Sequence, residues 1–264
     1  ARRHSARSTR PEAADAAGVS TETYRVTISD QQPQPLADIR GGDAFYINNM
    51  YRCSVGFSVE GGFVTAGHCG DAGSTVAGFN RAAAGVFKAS NFPGTDFAFV
   101  QTNGNWTPQP WVKDASGGNV QVAGSQEAVV GASVCRSGSS TGWHCGTIQS
   151  KNATVRYPEG QVSGLTRTNA CADHGDSGGS WISGQQAQGV TSGGNGDCTV
   201  GGTTYFQPIN PILSTYGLKL KSTVAAPAPA PTPTTPAPAP APTKTTPVPT
   251  PSASGSAPSE NPPT

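Results

Sequence analysis

Charge is scarce in this chain. Lys, Arg, Asp and Glu make up 12% of its 264 residues, about half the roughly 25% usual in soluble domains. No Lys/Arg stripe exists to neutralise phosphates, which argues against nucleic-acid binding. The formal net charge of +1 selects no particular class of partner. Long hydrophobic runs are also missing: none approaches the ~18 residues that a membrane span needs. No two cysteines stand at CxxC spacing, so no zinc site is expected. No calcium loop is evident, and no metal or cofactor is called for. The first residue is Ala1 rather than Met, and no signal peptide follows; this reads as a processed or trimmed product.

Cysteine and glycine are present in quantity. Six cysteines, Cys53, Cys69, Cys135, Cys145, Cys171 and Cys198, suggest three disulfides and an oxidising compartment. Six cysteines permit fifteen pairings, of which nearest neighbours (53–69, 135–145, 171–198) are the simplest choice. Composition divides the chain into three. Residues 1–36 are Ala-, Arg- and Gln/Pro-rich and contain no cysteine. Within them, residues 23–28 alternate like a lone strand, as if left over from a larger pro-region. Residues 37–221 form the folded body. Residues 222–264 are Pro, Ala and Thr with little apolar bulk, an extended disordered linker or tail that cannot form a core.

The body reads as short strands between glycine turns, the pattern of an all-β barrel or sandwich. Strand runs are expected at 120–122, 128–130 and 133–135. A hairpin is expected from 180–182 through Ser183-Gly184 to 188–191. One helix closes the body. Asn210 can cap it and Pro211 suits its first position. Ile209, Ile212, Leu213 and Tyr216 share one face, and Gly217 stops it.

Three segments carry chemistry. Gly175-Asp176-Ser177-Gly178-Gly179-Ser180 places a serine on a tight, glycine-rich turn. Thr65-Ala66-Gly67-His68-Cys69 puts a histidine at the end of an apolar run. Thr95-Asp96 leads into the apolar strand Phe97-Ala98-Phe99-Val100. A serine hydroxyl is a poor nucleophile near neutrality, so Ser177 needs His68 as base and Asp96 to hold the imidazole tautomer. A working base of this kind predicts a single ionisation near that of an ordinary histidine, about 6.5–7. The oxyanion needs two converging N–H groups, which Gly175 and Ser177 are placed to supply. Asp176 is expected to shape the turn rather than serve as the triad acid. His174, three residues from Ser177, is the rival base; its plain alternative is a loop residue at the rim. His144 reads as a surface loop residue, and His4 lies in the terminal region.

These segments closely resemble the streptogrisin and α-lytic protease family of bacterial chymotrypsin-fold serine proteases, nearest the streptogrisin branch. The likeness spans 38–220. Besides the segments above it includes Asp38-Ile39-Arg40-Gly41-Gly42-Asp43, the run from Gly138 to Gly146, the run from Gln188 to Gly194, and Tyr205-Phe206-Gln207-Pro208-Ile209. The resemblance implies two six-stranded antiparallel β-barrels with a C-terminal helix and the triad between the barrels. It also implies the 53–69, 135–145 and 171–198 disulfides, and secretion with a pro-region that assists folding and inhibits. The implied activity is that of a monomeric extracellular endopeptidase acting on proteins and peptides. Ser192, Gly193 and Gly194 would pair with substrate backbone, with Ser192 also supporting Asp96.

By the same resemblance, the specificity pocket would lie between Asn169, Ala170, Cys171 and Ala172 on one side and Thr191 to Gly194 on the other. No acid occupies these segments, so a buried Lys would lack a partner. Ala172 and Thr191 stand where the α-lytic branch has methionines, and Thr191 where glutamate-selective members have histidine. A roomy apolar pocket is therefore expected, with large apolar or aromatic residues before the scissile bond. Leu36–Ala37, or a bond within a residue or two of it, where composition changes, fits that preference as a self-processing site, behind an extended connector at 31–35. Two other readings stand beside the peptidase. An esterase would use the same triad, but the α/β pattern that carries its Gly-x-Ser-x-Gly elbow is lacking here. A protease-like binding module could act through a domain linked by the tail, although the triad is complete.

Overall fold

The computed structural model describes residues 37–223. The run at 23–28, the connector at 31–35, Leu36 and the tail from residue 224 lie outside the described residues. Strands follow in chain order as β1 (Ala37–Gly41), β2 (Ala44–Ile47), β3 (Tyr51–Ser54), β4 (Phe57–Val59), β5 (Gly62–Thr65), β6 (Thr75–Ala77), β7 (Ala84–Asn91) and β8 (Phe97–Thr102). They continue as β9 (Trp106–Lys113), β10 (Asn119–Gln121), β11 (Ser133–Gly138), β12 (Gly142–Tyr157), β13 (Gly160–Thr168), β14 (Ser180–Ser183), β15 (Gln186–Asp197) and β16 (Gly201–Pro208), and helix α1 (Ile209–Tyr216) closes the series.

The first half is a sheet in the order β3-β2-β6-β7-β8-β5-β4. Its two edges, β3 and β4, are consecutive in the chain and separated only by Val55 and Gly56. They act as one kinked strand, so the sheet returns to its own beginning as a six-stranded barrel. At the kink, the Gly56 N–H donates to the Val64 carbonyl at 2.9 Å. A Cβ on residue 56 would lie 2.5 Å from that oxygen, so only glycine lets β5 approach. The second half is a closed barrel in the order β11-β12-β13-β16-β15-β14, antiparallel at each pairing. The expected all-β, two-barrel architecture is the one observed.

Separate apolar clusters fill these spaces. Phe45, Phe63, Phe87 and Trp106 pack inside the first barrel, with Phe45–Phe63 and Phe63–Trp106 meeting edge to face at 5.1 and 5.2 Å. Trp181 stacks on Phe206 at 5.0 Å inside the second. Between the barrels, Phe57, Val64 and Phe97 meet Ile182 and Val190, with Ile209 and Ile212 of α1 sealing the end. Burying each such side chain contributes roughly 1.5–3 kcal/mol relative to leaving it in water. The seam is thus a true core, and it holds the two halves in register.

Three local expectations need correction or extension. Residues 128–130 form no strand: Val129 and Val130 are 70% and 56% exposed, because no neighbouring strand offers that face a partner. The helix starts earlier than expected, with Pro208 at the N-cap and no side-chain cap. Asn210 lies in the first turn instead and donates from Nδ2 to the Ser125 carbonyl at 3.0 Å. Gly217 does stop the helix, in the left-handed conformation at φ 61°. The expected hairpin is present as β14 and β15, and β15 runs on to Asp197.

Candidate active site

Strand pairing brings His68 and Asp96 together. Thr65, the last residue of β5, pairs with Ala98 near the start of β8. The chain leaving β5 and the chain entering β8 therefore emerge side by side. The first makes a single 3-10 turn, Gly67–Cys69, which carries His68; the second carries Asp96. The Asp96 side chain is wholly buried, whereas that of His68 is 26% exposed at the cleft wall. Asp96 Oδ1 accepts the His68 backbone N–H at 3.0 Å, and Oδ2 lies 2.8 Å from Nδ1. A carboxylate can only accept here, so Nδ1 bears the proton and Nε2 keeps its lone pair.

Residues of the second barrel hold Asp96 from the other side. The Ser192 hydroxyl donates to Oδ2 at 2.5 Å, and the Asp96 N–H donates to Gln207 Oε1 at 3.0 Å. Tyr157 Oη lies 3.1 Å from Ser192 Oγ. Because the Ser192 proton goes to the carboxylate, Tyr157 is the donor in that bond. Burial pushes the Tyr157 phenol above its ordinary range, which keeps it protonated.

Opposing influences act on the imidazole. Burial is the strongest and disfavours the charged ring. The hydrogen bond to Asp96, its charge and the charge of Glu159 together outweigh burial, so the His68 pKa lies above its ordinary value of about 6.5. The ring therefore ionises above the range of an ordinary histidine. Phe92 packs edge-on against the ring at 5.7 Å and leans on Tyr157 at 6.1 Å, which walls one side of the site.

Ser177 comes from the loop between β13 and β14, and it lines the same cleft as His68. Positive φ values at Gly175 (94°) and Gly178 (77°) bend this loop sharply. A Cβ on residue 178 would lie 1.9 Å from Thr65 Oγ1, so glycine lets the turn rest on β5. The N–H groups of Asp176, Gly178 and Gly179 donate to the Asp173, Thr191 and Asp176 carbonyls. Among the described residues, those of Gly175 and Ser177 have no such internal acceptor. These are the two amides expected to meet an oxyanion.

The remaining expected site residues divide. Ala172, Thr191, Ser192, Gly193 and Gly194 line the cleft with Ser177. Asn169 and Ala170 are not among its lining residues. Ala170 is buried in the second barrel's core, and Asn169 Oδ1 accepts from the Thr147 N–H at 2.8 Å on β12. Thr191 turns its hydroxyl inward to Trp181 Nε1 at 2.9 Å. His174 is exposed at the rim. His144 is half-buried on β12 rather than on a surface loop, with Nε2 3.0 Å from the Thr141 carbonyl.

Both the sequence and the fold have counterparts among known proteins. The sequence matches the trypsin family over residues 39–215. The chain belongs to the trypsin family. It is 63% identical to streptogrisin-C of Streptomyces griseus over 208 residues, covering 77% of this chain and 46% of that protein. It thus spans less than half the length of that relative. Serine protease 2 of Streptomyces fradiae is 40% identical, covering 63% of this chain and 100% of its own. The crystal structure of Cellulomonas bogoriensis chymotrypsin matches with a TM-score of 0.68 at 56% identity, covering 70% of this chain and 100% of its own.

In this trypsin-family chain the three disulfides join Cys53–Cys69, Cys135–Cys145 and Cys171–Cys198. Among the described residues, His144 with Cys171 and Cys198 is the cluster of metal-ligating side chains. Its two sulfurs are bonded to each other, so neither is a thiolate ligand.

Sequence reasoning missed Arg136, the structural partner of Asp176. The two side chains are fully buried and meet at 3.1 Å. Asp176 also accepts from the N–H groups of Ser140, Thr141 and Asp173 and from the Thr141 hydroxyl. It shapes the serine turn, as its place in the sequence suggests. A signal for Arg136 did exist. In β11 it lies two residues from the buried Val134, so strand alternation turns it toward the core.

Proposed function

We propose that this trypsin-family chain is a secreted, monomeric serine endopeptidase. In this reading His68, Asp96 and Ser177 are the catalytic residues, and the Gly175 and Ser177 N–H groups form the oxyanion hole. The observation that carries the proposal is the 2.8 Å contact from His68 Nδ1 to Asp96 Oδ2 in the cleft that Ser177 lines. Nε2, left with a lone pair, takes the proton from Ser177 as its oxygen attacks the peptide carbonyl. The imidazolium then returns that proton to the departing amine. Water repeats the cycle on the acyl-enzyme. The test is mass spectrometry after exposure to a serine-directed covalent inhibitor. A single adduct on Ser177 and parallel loss of casein hydrolysis are expected; unmodified protein that still cleaves casein would overturn the proposal.

The proposed substrate preference is a large apolar or aromatic residue before the scissile bond. Two acids that line the cleft each have one carboxylate oxygen held by backbone. Asp173 Oδ1 holds the Cys198 N–H at 3.1 Å, and Asp197 Oδ1 holds the Thr199 and Val200 N–H groups at 2.7 and 2.8 Å. The pocket segments themselves, residues 169–172 and 191–194, contain no acid, so a Lys buried between them would lack a partner. Self-processing at Leu36–Ala37 fits the same pocket, with residues 1–36 as the end of a pro-region that aids folding and inhibits. Ala37, which would be the new first residue, already bonds the Asn105 carbonyl at 3.0 Å and pairs β1 with β9.

A further inference from the structure

Within this peptidase reading, the Gly175 N–H belongs to the peptide bond whose carbonyl is that of His174. Its aim therefore depends on how that one peptide plane is held. Gly175 adopts φ 94°, and a residue without Cβ lets the neighbouring peptide rotate with little steric resistance. Something outside the loop must hold the plane.

The turn between β11 and β12 supplies the anchor. Ser140 Oγ donates to the His174 carbonyl at 2.6 Å. Its hydroxyl oxygen accepts from Arg52 Nη2 at 2.7 Å. The guanidinium thereby fixes which way the Ser140 proton points, because Arg can only donate. Both groups press against Gly175: a Cβ there would lie 2.3 Å from Ser140 Oγ and 3.0 Å from Arg52 Nη2. The next peptide is anchored differently. The Gly175 carbonyl accepts from both Ser54 Oγ at 2.8 Å and Ser139 Oγ at 3.0 Å. Among the described residues, the His174 carbonyl has Ser140 alone.

We propose that Ser140, aligned by Arg52, is a positioning residue that holds the His174–Gly175 peptide with its N–H turned toward the reacting oxygen. In this role the hydroxyl acts through the peptide that it holds, not on the reacting oxygen directly. It fixes the carbonyl end of the plane and so aims the opposite end. As charge develops on the reacting oxygen, the same hydrogen bond polarises the peptide and strengthens the N–H as a donor. The effect belongs to the transition state, so it acts on kcat rather than KM.

Ser140 is exposed, so Ser140→Ala should fold. The test compares wild type, Ser140→Ala, Ser140→Thr, Arg52→Ala and the Arg52→Ala/Ser140→Ala pair. Each is measured on a peptide anilide after titration of active sites, and for affinity toward a peptide aldehyde and the matching product peptide. Ser140→Ala should lower kcat about tenfold. Aldehyde affinity should fall in parallel, with KM and product affinity changed by less than about twofold. Ser140→Thr, which keeps the hydroxyl, should recover most of the loss. Arg52→Ala should lower kcat less, and the pair should lose no more than Ser140→Ala alone, because Arg52 acts through Ser140. Wild-type kcat and aldehyde affinity in Ser140→Ala would overturn the proposal, as would losses that add in the pair. A parallel Ser177→Ala sample separates the two readings. If that variant is inactive while Ser140→Ala is unchanged, only the positioning role fails; if it stays active, the serine-peptidase reading fails.

Discussion

Arg136 and Asp176 form an ion pair of 3.1 Å with both side chains shut off from solvent. Burial pulls the guanidinium pKa below its ordinary value, against the opposing charges of Asp176 and Asp173. Arginine nevertheless stays charged over any working pH. The pair lies behind Ser177, so its integrity and that of the serine turn are linked.

Removing Arg136 should be severe. Breaking one partner of a buried pair costs about 3–5 kcal/mol, because the other charge is left uncompensated. Arg136→Leu should lower the urea midpoint accordingly and reduce peptidase turnover in the surviving folded fraction. Arg136→Lys should recover only part of this, since a lysine cannot also reach the Cys171 and Gly142 carbonyls as the guanidinium does. An unchanged urea midpoint in Arg136→Leu would refute the structural role.

Loss of either reacting side chain should stop the chemistry while leaving the fold. Ser177→Ala and His68→Ala should each lower kcat/KM by at least about a thousandfold, because triad members act as a unit. Circular dichroism should be unchanged. If His68→Ala retained activity and His174→Ala lost it, the base would be His174.

The raised His68 pKa sets the acid limb of the pH profile. A raised value means that the imidazolium persists to higher pH, so the neutral base accumulates only above it. kcat/KM should therefore rise through a midpoint above about 6.5. Glu159→Gln removes one of the charges favouring the imidazolium and should move that midpoint to lower pH. For stability the sign is reversed: the His68–Asp96 contribution is complete below the unfolded histidine pKa and fades as pH rises through the folded one. A midpoint unmoved in Glu159→Gln would remove Glu159 from this account.

A peptide panel varied at the residue before the scissile bond should favour Phe, Tyr, Leu and Met. Lys and Glu there should be poorer by about a hundredfold in kcat/KM, on the order of 3 kcal/mol of transition-state binding. A preference for Lys, Glu or only Ala would require a different pocket. In the precursor, Leu36→Asp should block processing at that bond; normal processing would exclude self-cleavage there.

What the sequence made legible follows a physical division. His68, Asp96 and Ser177 each lie at the end of a short apolar run or on a glycine turn, where local patterns are distinctive. The residues that hold them do not. Gln207 looks like an ordinary strand residue, and only barrel closure brings it to Asp96; Ser192 is legible through the family resemblance, not through its local pattern. Tyr157 ends the sixteen-residue β12, and the Pro158-Glu159-Gly160 turn after it marks the strand's end but not the contact with Ser192. Val129-Val130 shows the opposite error: β-branched residues favour strands, but a strand also needs a neighbour with free backbone groups. The Asn169 side chain bonds β12 and Ala170 packs in the barrel core, so any wall that they give the pocket is one of backbone.

Asp96 takes its partners from both barrels, His68 from the first and Ser192 and Gln207 from the second. Ser54 of the first barrel likewise braces the serine turn, with its N–H on the Ser177 carbonyl at 2.9 Å and its hydroxyl on that of Gly175. Neither barrel alone contains a working arrangement. On the proposed function, a chain with one half folded would have nothing with which to cut its neighbours. Activity would require both barrels in place, because the bonds that align the reacting groups run between them.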